Sequence, residues 1–181
     1  MFKIICVTNR QLCGDLKERV RELHSADVPV ILREKDLDEA EYERLARKII
    51  EVCPDVILHT YRDVTKKTGA KKLHLPFSMM NDNVKDDFET VGVSVHSPEE
   101  AMKAQEMGAD YVIAGHIFVT DCKKGLEPRG LGYLRKTVNA VSVPVYAIGG
   151  ISPANVSLIQ ETGAVGACIM SGFMRCGSVE K

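Results

Sequence analysis

The chain lacks any excess of charge: 24 Lys and Arg stand against 25 Asp and Glu among 181 residues. Near-neutrality gives no basis for nucleic acid or an anionic membrane as a partner. No block of like charge, no low-complexity segment and no linker interrupts it. No apolar stretch approaches the ~18 residues of a membrane span. The N-terminal Met1-Phe2-Lys3-Ile4-Ile5-Cys6-Val7 is too short for a signal peptide and lacks its flanks, so it reads as a first strand. The six cysteines, Cys6, Cys13, Cys53, Cys122, Cys168 and Cys176, contain no CxxC pair and no Cys/His spacing of a metal site. A reduced, cytoplasmic setting follows, with no structural metal. Cys6 and Cys168 fall inside apolar runs and read as small core residues.

What the chain does have is alternation. Short apolar runs predict eight strands: Lys3 to Thr8, Val28 to Arg33, Asp55 to His59, Lys72 to Leu75, Val91 to Val95, Tyr111 to Gly115, Val143 to Ile148 and Gly166 to Met170. Helix-period segments fall between them at Gly14 to Ser25, Asp38 to Val52, Val64 to Thr68, Asn83 to Phe88, Pro98 to Met107, Leu131 to Val141 and Pro153 to Thr162. Ser97-Pro98-Glu99-Glu100 offers an N-cap, a first-turn proline and early carboxylates. Asp38 and Ser152-Pro153 mark further helix starts. Continuous apolar strands alternating with helices imply parallel βαβ units buried on both faces. The 181 residues allow about 23 per unit, tight against the ~250 typical of a (β/α)8 TIM barrel. An open doubly wound sheet needs longer crossovers still, so the expectation is a compact α/β barrel, one domain over residues 1–181, with a short last helix. A second copy covering that rim would make a homo-oligomer.

Chemistry-bearing residues concentrate at the predicted strand ends. The loop after strand six, Gly115 to Gly130, carries His116, Thr120, Cys122, Lys123, Lys124 and Arg129. A histidine at that strand end projects into the barrel mouth and suits acid/base work; a structural bond to a loop carbonyl is the plainer reading. Cys122 has no base at motif spacing and reads as a packing thiol. Gly149 and Gly150 end strand seven, and Met170, Ser171 and Gly172 end strand eight. Barrels often bind phosphate on the loops after these two strands; tight turns alone would also use such glycines. After strand two, Arg33 and Lys35 share one side of an extended segment. They could bind an anion, or form a salt-bridged rim with Glu34 and Asp36. His59, His74 and His96 come from different strands without metal-ligand spacing. His24 reads as solvent-exposed on the first helix.

Taken together, Leu32-Arg33-Glu34-Lys35-Asp36, Gly92-Val93-Ser94-Val95-His96-Ser97, the Gly115 to Gly130 loop, Ala147-Ile148-Gly149-Gly150-Ile151 and Met170-Ser171-Gly172 resemble the superfamily of thiamine-phosphate synthases and TenI-type thiazole tautomerases. The resemblance implies a (β/α)8 barrel that binds thiazole phosphate on its last two strand-end loops. Two branches compete. The synthases typically carry Gly-Pro-Ile-Phe before a Thr-x-Thr-Lys element, and carboxylates after strands three and four that hold Mg²⁺ on the pyrimidine pyrophosphate. Here those segments read His59-Thr60-Tyr61-Arg62-Asp63 and Lys72-Leu73-His74-Leu75-Pro76-Phe77, without the expected carboxylates, although Asp63 is nearby. The tautomerases carry Gly-His-(Ile/Val)-Phe and Thr-Asp-Cys-Lys-Lys-Gly-Leu-Glu, and Gly115 to Glu127 fits that pattern.

The expectation is therefore a thiazole tautomerase, an isomerase that aromatises an ylidene carboxythiazole phosphate by proton transfer. His116 is its expected acid/base. Arg33, Lys35, Thr120, Cys122, Lys123, Gly149, Gly150, Met170, Ser171 and Gly172 are its expected substrate contacts. It needs no metal or cofactor. The alternative is a thiamine-phosphate synthase joining thiazole phosphate to hydroxymethylpyrimidine pyrophosphate, which would bring Mg²⁺. A further alternative is a regulatory protein that binds the ligand without turnover.

Overall fold

The structure, a computed structural model, describes residues 1–120 and 125–177. Eight parallel strands form a closed barrel in chain order: β1 (Lys3–Val7), β2 (Val30–Leu32), β3 (Ile57–His59), β4 (Lys72–Pro76), β5 (Thr90–Val95), β6 (Tyr111–Gly115), β7 (Val145–Ile148) and β8 (Gly166–Ile169). Closure is made by β1 against β8, where Ile5 stands opposite Cys168. The helices between them are α1 (Leu16–Ser25), α2 (Glu39–Ile50), α3 (Arg62–Thr68), α4 (Pro98–Glu106), α5 (Gly130–Ala140), α6 (Val156–Gln160) and α7 (Ser171–Arg175). The expected barrel and the short last helix are both observed.

The period of two sorts each strand between two cores. Ile5 and Val7 join Ile31, Ile57, Tyr111, Ile113, Tyr146 and Cys168 in one cluster inside the barrel. Cys6, between them in sequence, packs with Val20, Leu23, Tyr42 and Ile49 of the helix layer. Both strand cysteines are core residues, as expected. Inside the barrel, large residues face absent ones. Tyr111 is the register partner of Gly92, and a Cβ on Gly92 would lie 2.0 Å from the Tyr111 ring. Tyr146 pairs with Gly166, where a Cβ would come within 2.7 Å of that ring. A narrow barrel is filled by such large–small complements.

Capping chemistry explains which helix starts hold. Asp38 accepts from the Glu41 backbone while Glu41 reaches back to the Asp38 N–H, a complete capping box. Ser97 caps α4 through the Glu100 N–H at 3.1 Å, with Pro98 in the first turn. Ser152-Pro153 does not repeat this. The Ser152 N–H donates to Asn155 Oδ1 at 2.8 Å, a local turn that holds residues 152–155 out of the helix until Val156. The expected helix over Asn83 to Phe88 is reduced to a 3₁₀ turn at Lys85–Asp87, because Asn81 bonds the following backbone as a turn residue.

Candidate functional site

At the C-terminal end of the strands lies a cavity of about 470 Å³. One wall is made by β6, β7 and β8 and their loops, through Gly115, His116, Thr120, Gly149, Gly150, Met170 and Ser171. The facing wall is made by β2 to β5, through Arg33, Lys35, His59, Pro76, Ser94 and His96. Thus His116, Arg33, Lys35, Thr120, Gly149, Gly150, Met170 and Ser171 line one cavity. Gly172 follows directly, but does not line the cavity. Cys122 and Lys123 lie outside the described residues.

The glycine wall is shaped by close backbone approach. Gly149 has φ 105°, and a Cβ there would lie 2.5 Å from His116 Cβ. Gly150 has φ 66°, and its Cβ would lie 2.3 Å from the Val119 carbonyl oxygen. Both positive φ and lack of space therefore require glycine. The Phe118 N–H donates to the Gly149 carbonyl at 3.0 Å, zipping the β6–α5 loop onto the β7 loop. The chain leaves β6 through a cis Gly115–His116 peptide. His116 is buried to 9% exposure and its Nε2 lies 3.4 Å from the Leu126 carbonyl, so it faces the cavity and also tethers its own loop.

The facing wall is built from side chains. A buried carboxylate, Glu34, accepts from the Thr8 hydroxyl at 2.6 Å and from the Arg10 backbone N–H at 3.0 and 3.1 Å. The same Thr8 oxygen accepts the Arg33 N–H at 2.9 Å. Glu34 is thus committed to the β1 and β2 ends. Asp36 takes the Arg10 guanidinium through both oxygens at 2.6 and 2.7 Å. The two acidic residues of the Arg33-to-Asp36 segment are therefore engaged by Arg10, and Arg33 and Lys35 face the cavity. Sequence reasoning missed this network, because Thr8 and Arg10 lie about 25 residues away in the chain.

Behind Arg33 and Lys35 runs an aromatic ladder across four strands. His59 stacks on His74, His74 on Tyr111, and Tyr111 meets Tyr146 edge-on, each with centroids 5.6 Å apart. His74 reaches the Ser94 hydroxyl at 2.8 Å and the Tyr111 hydroxyl at 3.1 Å. His59 Nδ1 lies 2.6 Å from the Thr60 hydroxyl. Burial pushes the His59 pKa down to about 2, helped by His74 and by the charges of Arg33 and Lys35. Burial and Arg33 push His74 down to about 3. Both rings are neutral at physiological pH. The Tyr42 hydroxyl donates to the Leu32 carbonyl at 2.6 Å and accepts the His59 N–H at 2.8 Å, pinning the ends of β2 and β3 together. The sequence reading did not single out Tyr42.

Among the described residues, His59, His74 and His96 do not gather into a group with metal-ligand character. His96 is half-exposed beside Glu100, and His59 and His74 are held as described. The one described group with metal-ligand character is His24, Cys53 and Asp55, at the opposite end of the barrel. Its Asp55 carboxylate is already shared by Cys53 at 3.4 Å, His24 at 3.3 Å and Lys72 at 3.6 Å. His24 is exposed on α1, as expected.

A barrel of this kind hosts many chemistries, and comparison with known proteins narrows the choice. The family model described as "Thiamine monophosphate synthase" matches residues 4–173. The chain belongs to that family. It is 33% identical to the thiamine-phosphate synthase of Fusobacterium nucleatum, covering 95% of this chain and 89% of that one. It is 32% identical to the thiamine-phosphate synthase of Clostridium tetani, covering 97% and 89%. Among solved structures, the thiamine phosphate pyrophosphorylase of Pyrococcus furiosus superposes with a TM-score of 0.83 at 30% identity, covering 98% of this chain and 90% of that one.

These likenesses overturn the tautomerase expectation. That expectation rested on the loop Gly115 to Glu127, part of which lies outside the described residues, and on the missing carboxylates after strands three and four. The relatives match over nearly the whole chain and are named synthases. A single loop is the part of a barrel that varies most easily without altering the scaffold, so it carries less weight than agreement along the full length. No described helix is long and apolar enough to cross a membrane.

Proposed function

We propose that this thiamine monophosphate synthase family member acts as a transferase, joining thiazole phosphate to hydroxymethylpyrimidine pyrophosphate. The observation that carries this reading is that the cavity has two different walls, one of close-packed glycine backbone and one bearing Arg33 and Lys35. The Gly149-Gly150 and Ser171-Gly172 backbone supports one phosphate, as strand-end loops of barrels commonly do. Arg33 and Lys35 support a second, more highly charged group across the cavity. A site for two phosphorylated substrates calls for two such places.

In the reaction the thiazole ring nitrogen takes the place of pyrophosphate on the pyrimidine methylene carbon. The C–O bond breaks and pyrophosphate leaves with the electron pair. Arg33 and Lys35 stabilise the charge that grows on the leaving oxygen, where a fixed cation is worth most. His116 and Thr120 line the thiazole side, next to the glycine loops. Ser94, oriented by His74, offers a hydroxyl between the two.

The family's resemblance brings Mg²⁺, and the residues here do not fit it. Mg²⁺ takes oxygen ligands, above all carboxylates and water. Among the described residues no carboxylate lines the cavity. Asp63 is exposed on α3 and Glu34 is committed to Thr8 and Arg10. No step is therefore assigned to the ion.

The test is to mix both substrates with the protein and follow thiamine phosphate and released pyrophosphate together. Stoichiometric appearance of both supports the transferase. Tight thiazole phosphate binding with neither product would replace it with a ligand-binding role.

A further inference from the structure

At the end of the barrel away from the mouth, the turn between α2 and β3 meets the last turn of α1 through a thiol, a carboxylate and an imidazole. We propose that His24, Cys53 and Asp55 form a Zn²⁺ site, in which one nitrogen, one sulfur and one oxygen hold the ion and water takes the fourth position; the site is independent of the transferase reading above.

Local structure delivers the ligands. After α2 the Cys53 N–H donates back to the Ile49 carbonyl at 2.9 Å, and the Val56 N–H donates to the Cys53 carbonyl at 3.1 Å. This turn sets Cys53 Sγ 3.4 Å from Asp55 Oδ1. His24 arrives from the preceding βα unit, with Nδ1 3.3 Å from the same oxygen. The three ligand atoms lie within 4.8 Å of one another. Zinc bonds of about 2.1 Å to nitrogen and oxygen and about 2.3 Å to sulfur, at tetrahedral angles, give ligand–ligand edges of about 3.4–3.6 Å. The two edges at Asp55 Oδ1 match these to within about 0.2 Å. The third lies between Cys53 and His24, and His24 is exposed and can swing to close it. Lys72 is 3.6 Å from the other carboxylate oxygen, Oδ2, so Oδ1 can take the ion without releasing it. A thiolate and a carboxylate cancel the charge of a divalent ion, and the thiol proton passes to solvent as the sulfur–metal bond forms. The mixed donor set suits Zn²⁺ and not Mg²⁺ or Ca²⁺, which take oxygen. Cys53 is buried while His24 and Asp55 are exposed, which covers the sulfur side and leaves a coordination position for water.

The test is a Zn²⁺ titration of the full chain, reduced and stripped of metal, against a competing chelator. One tight equivalent is expected, and excess Mg²⁺ should not displace it. Co²⁺ in its place should give the visible bands of a tetrahedral ion and a sulfur-to-cobalt charge-transfer band in the near ultraviolet. His24→Gln should weaken Zn²⁺ binding by about a hundredfold, since even the outer partners of metal ligands are worth about 10- to 100-fold. His24 is exposed, so this variant keeps its fold and tests affinity separately from stability. Cys53→Ser should abolish the charge-transfer band, with circular dichroism checking that the variant folds. The other five cysteines remain in both variants. Tight Zn²⁺ binding that survives His24→Gln undiminished therefore belongs elsewhere on the chain and overturns the proposal. So does a Co²⁺ complex without the sulfur band, and so does the absence of any tight Zn²⁺ equivalent in the parent chain.

Discussion

The two walls of the mouth are built on different principles. The β6–β8 wall is a wall of backbone: Gly149 and Gly150 sit in conformations and spaces that admit no side chain, and loops lie directly on one another. The β2–β5 wall is a wall of side chains: Arg33, Lys35, His59 and Ser94 project into the cavity from strands held in place by Glu34, Tyr42 and Thr8. The first kind of wall is stiff and intolerant of added atoms. The second is adjustable in charge and chemistry without disturbing the barrel. Such a mouth can keep the first wall fixed and vary the second without altering the scaffold.

The largest expected effect tests the intolerance of the backbone wall. Gly150→Ala would push a Cβ to 2.3 Å from the Val119 carbonyl at φ 66°. Overpacking and a disfavoured backbone together cost about 2–5 kcal/mol, measurable by urea unfolding. A cost below ~1 kcal/mol would show that this wall is as adjustable as the other.

Acid should separate the walls next, because the buried imidazoles lie on only one of them. His59 and His74 have folded pKa values of about 2 and about 3, well below an unfolded value near 6.5. Unfolding below pH ~6.5 therefore takes up protons that the folded rings refuse. Their share of stability is whole above that pH and is lost as pH falls toward the folded values. Each ring contributes up to about 1.4 kcal/mol per pH unit. Between pH 6 and 5 the native chain should lose stability more steeply than a His59→Gln/His74→Gln variant. Parallel slopes would mean that the rings titrate normally in the folded state.

The smallest effect concerns what holds the side-chain wall in register. Tyr42→Phe removes the hydroxyl between the Leu32 carbonyl and the His59 N–H, leaving a buried acceptor and donor without it at about 1–3 kcal/mol. If this wall depends on that link, pyrophosphate affinity should fall while thiazole phosphate affinity holds. Equal changes in both would assign Tyr42 to general stability.

Much of the barrel was legible in the chain. All eight strands, and the expected helices apart from Asn83 to Phe88, follow from apolar runs alternating with 3.6-residue periodicity, and local capping residues such as Asp38 and Ser97 set real helix starts. Where local chemistry offered two outcomes, the prediction failed: Ser152-Pro153 resembles the Ser97-Pro98 start, but Asn155 diverts its backbone into a turn. Of the site, the glycine wall and the Arg33–Lys35 pair could be placed because strand-end position alone sends them to the mouth. The branch assignment failed because one loop motif and two strand-end segments without carboxylates were weighed above the length of the chain.

The sequence by itself determined the barrel, the end at which its chemistry gathers and the glycines that let two loops touch, because all of these depend on periodicity and on residues close in the chain. Only the tertiary structure decided that Glu34 and Asp36 serve Arg10, that His59 and His74 lie neutral in one ladder with Tyr111, and that Gly92 and Gly166 make room for tyrosines. Those are contacts between strands far apart in sequence, and burial at such contacts, which sets charge state and committed hydrogen bonds, has no local signature.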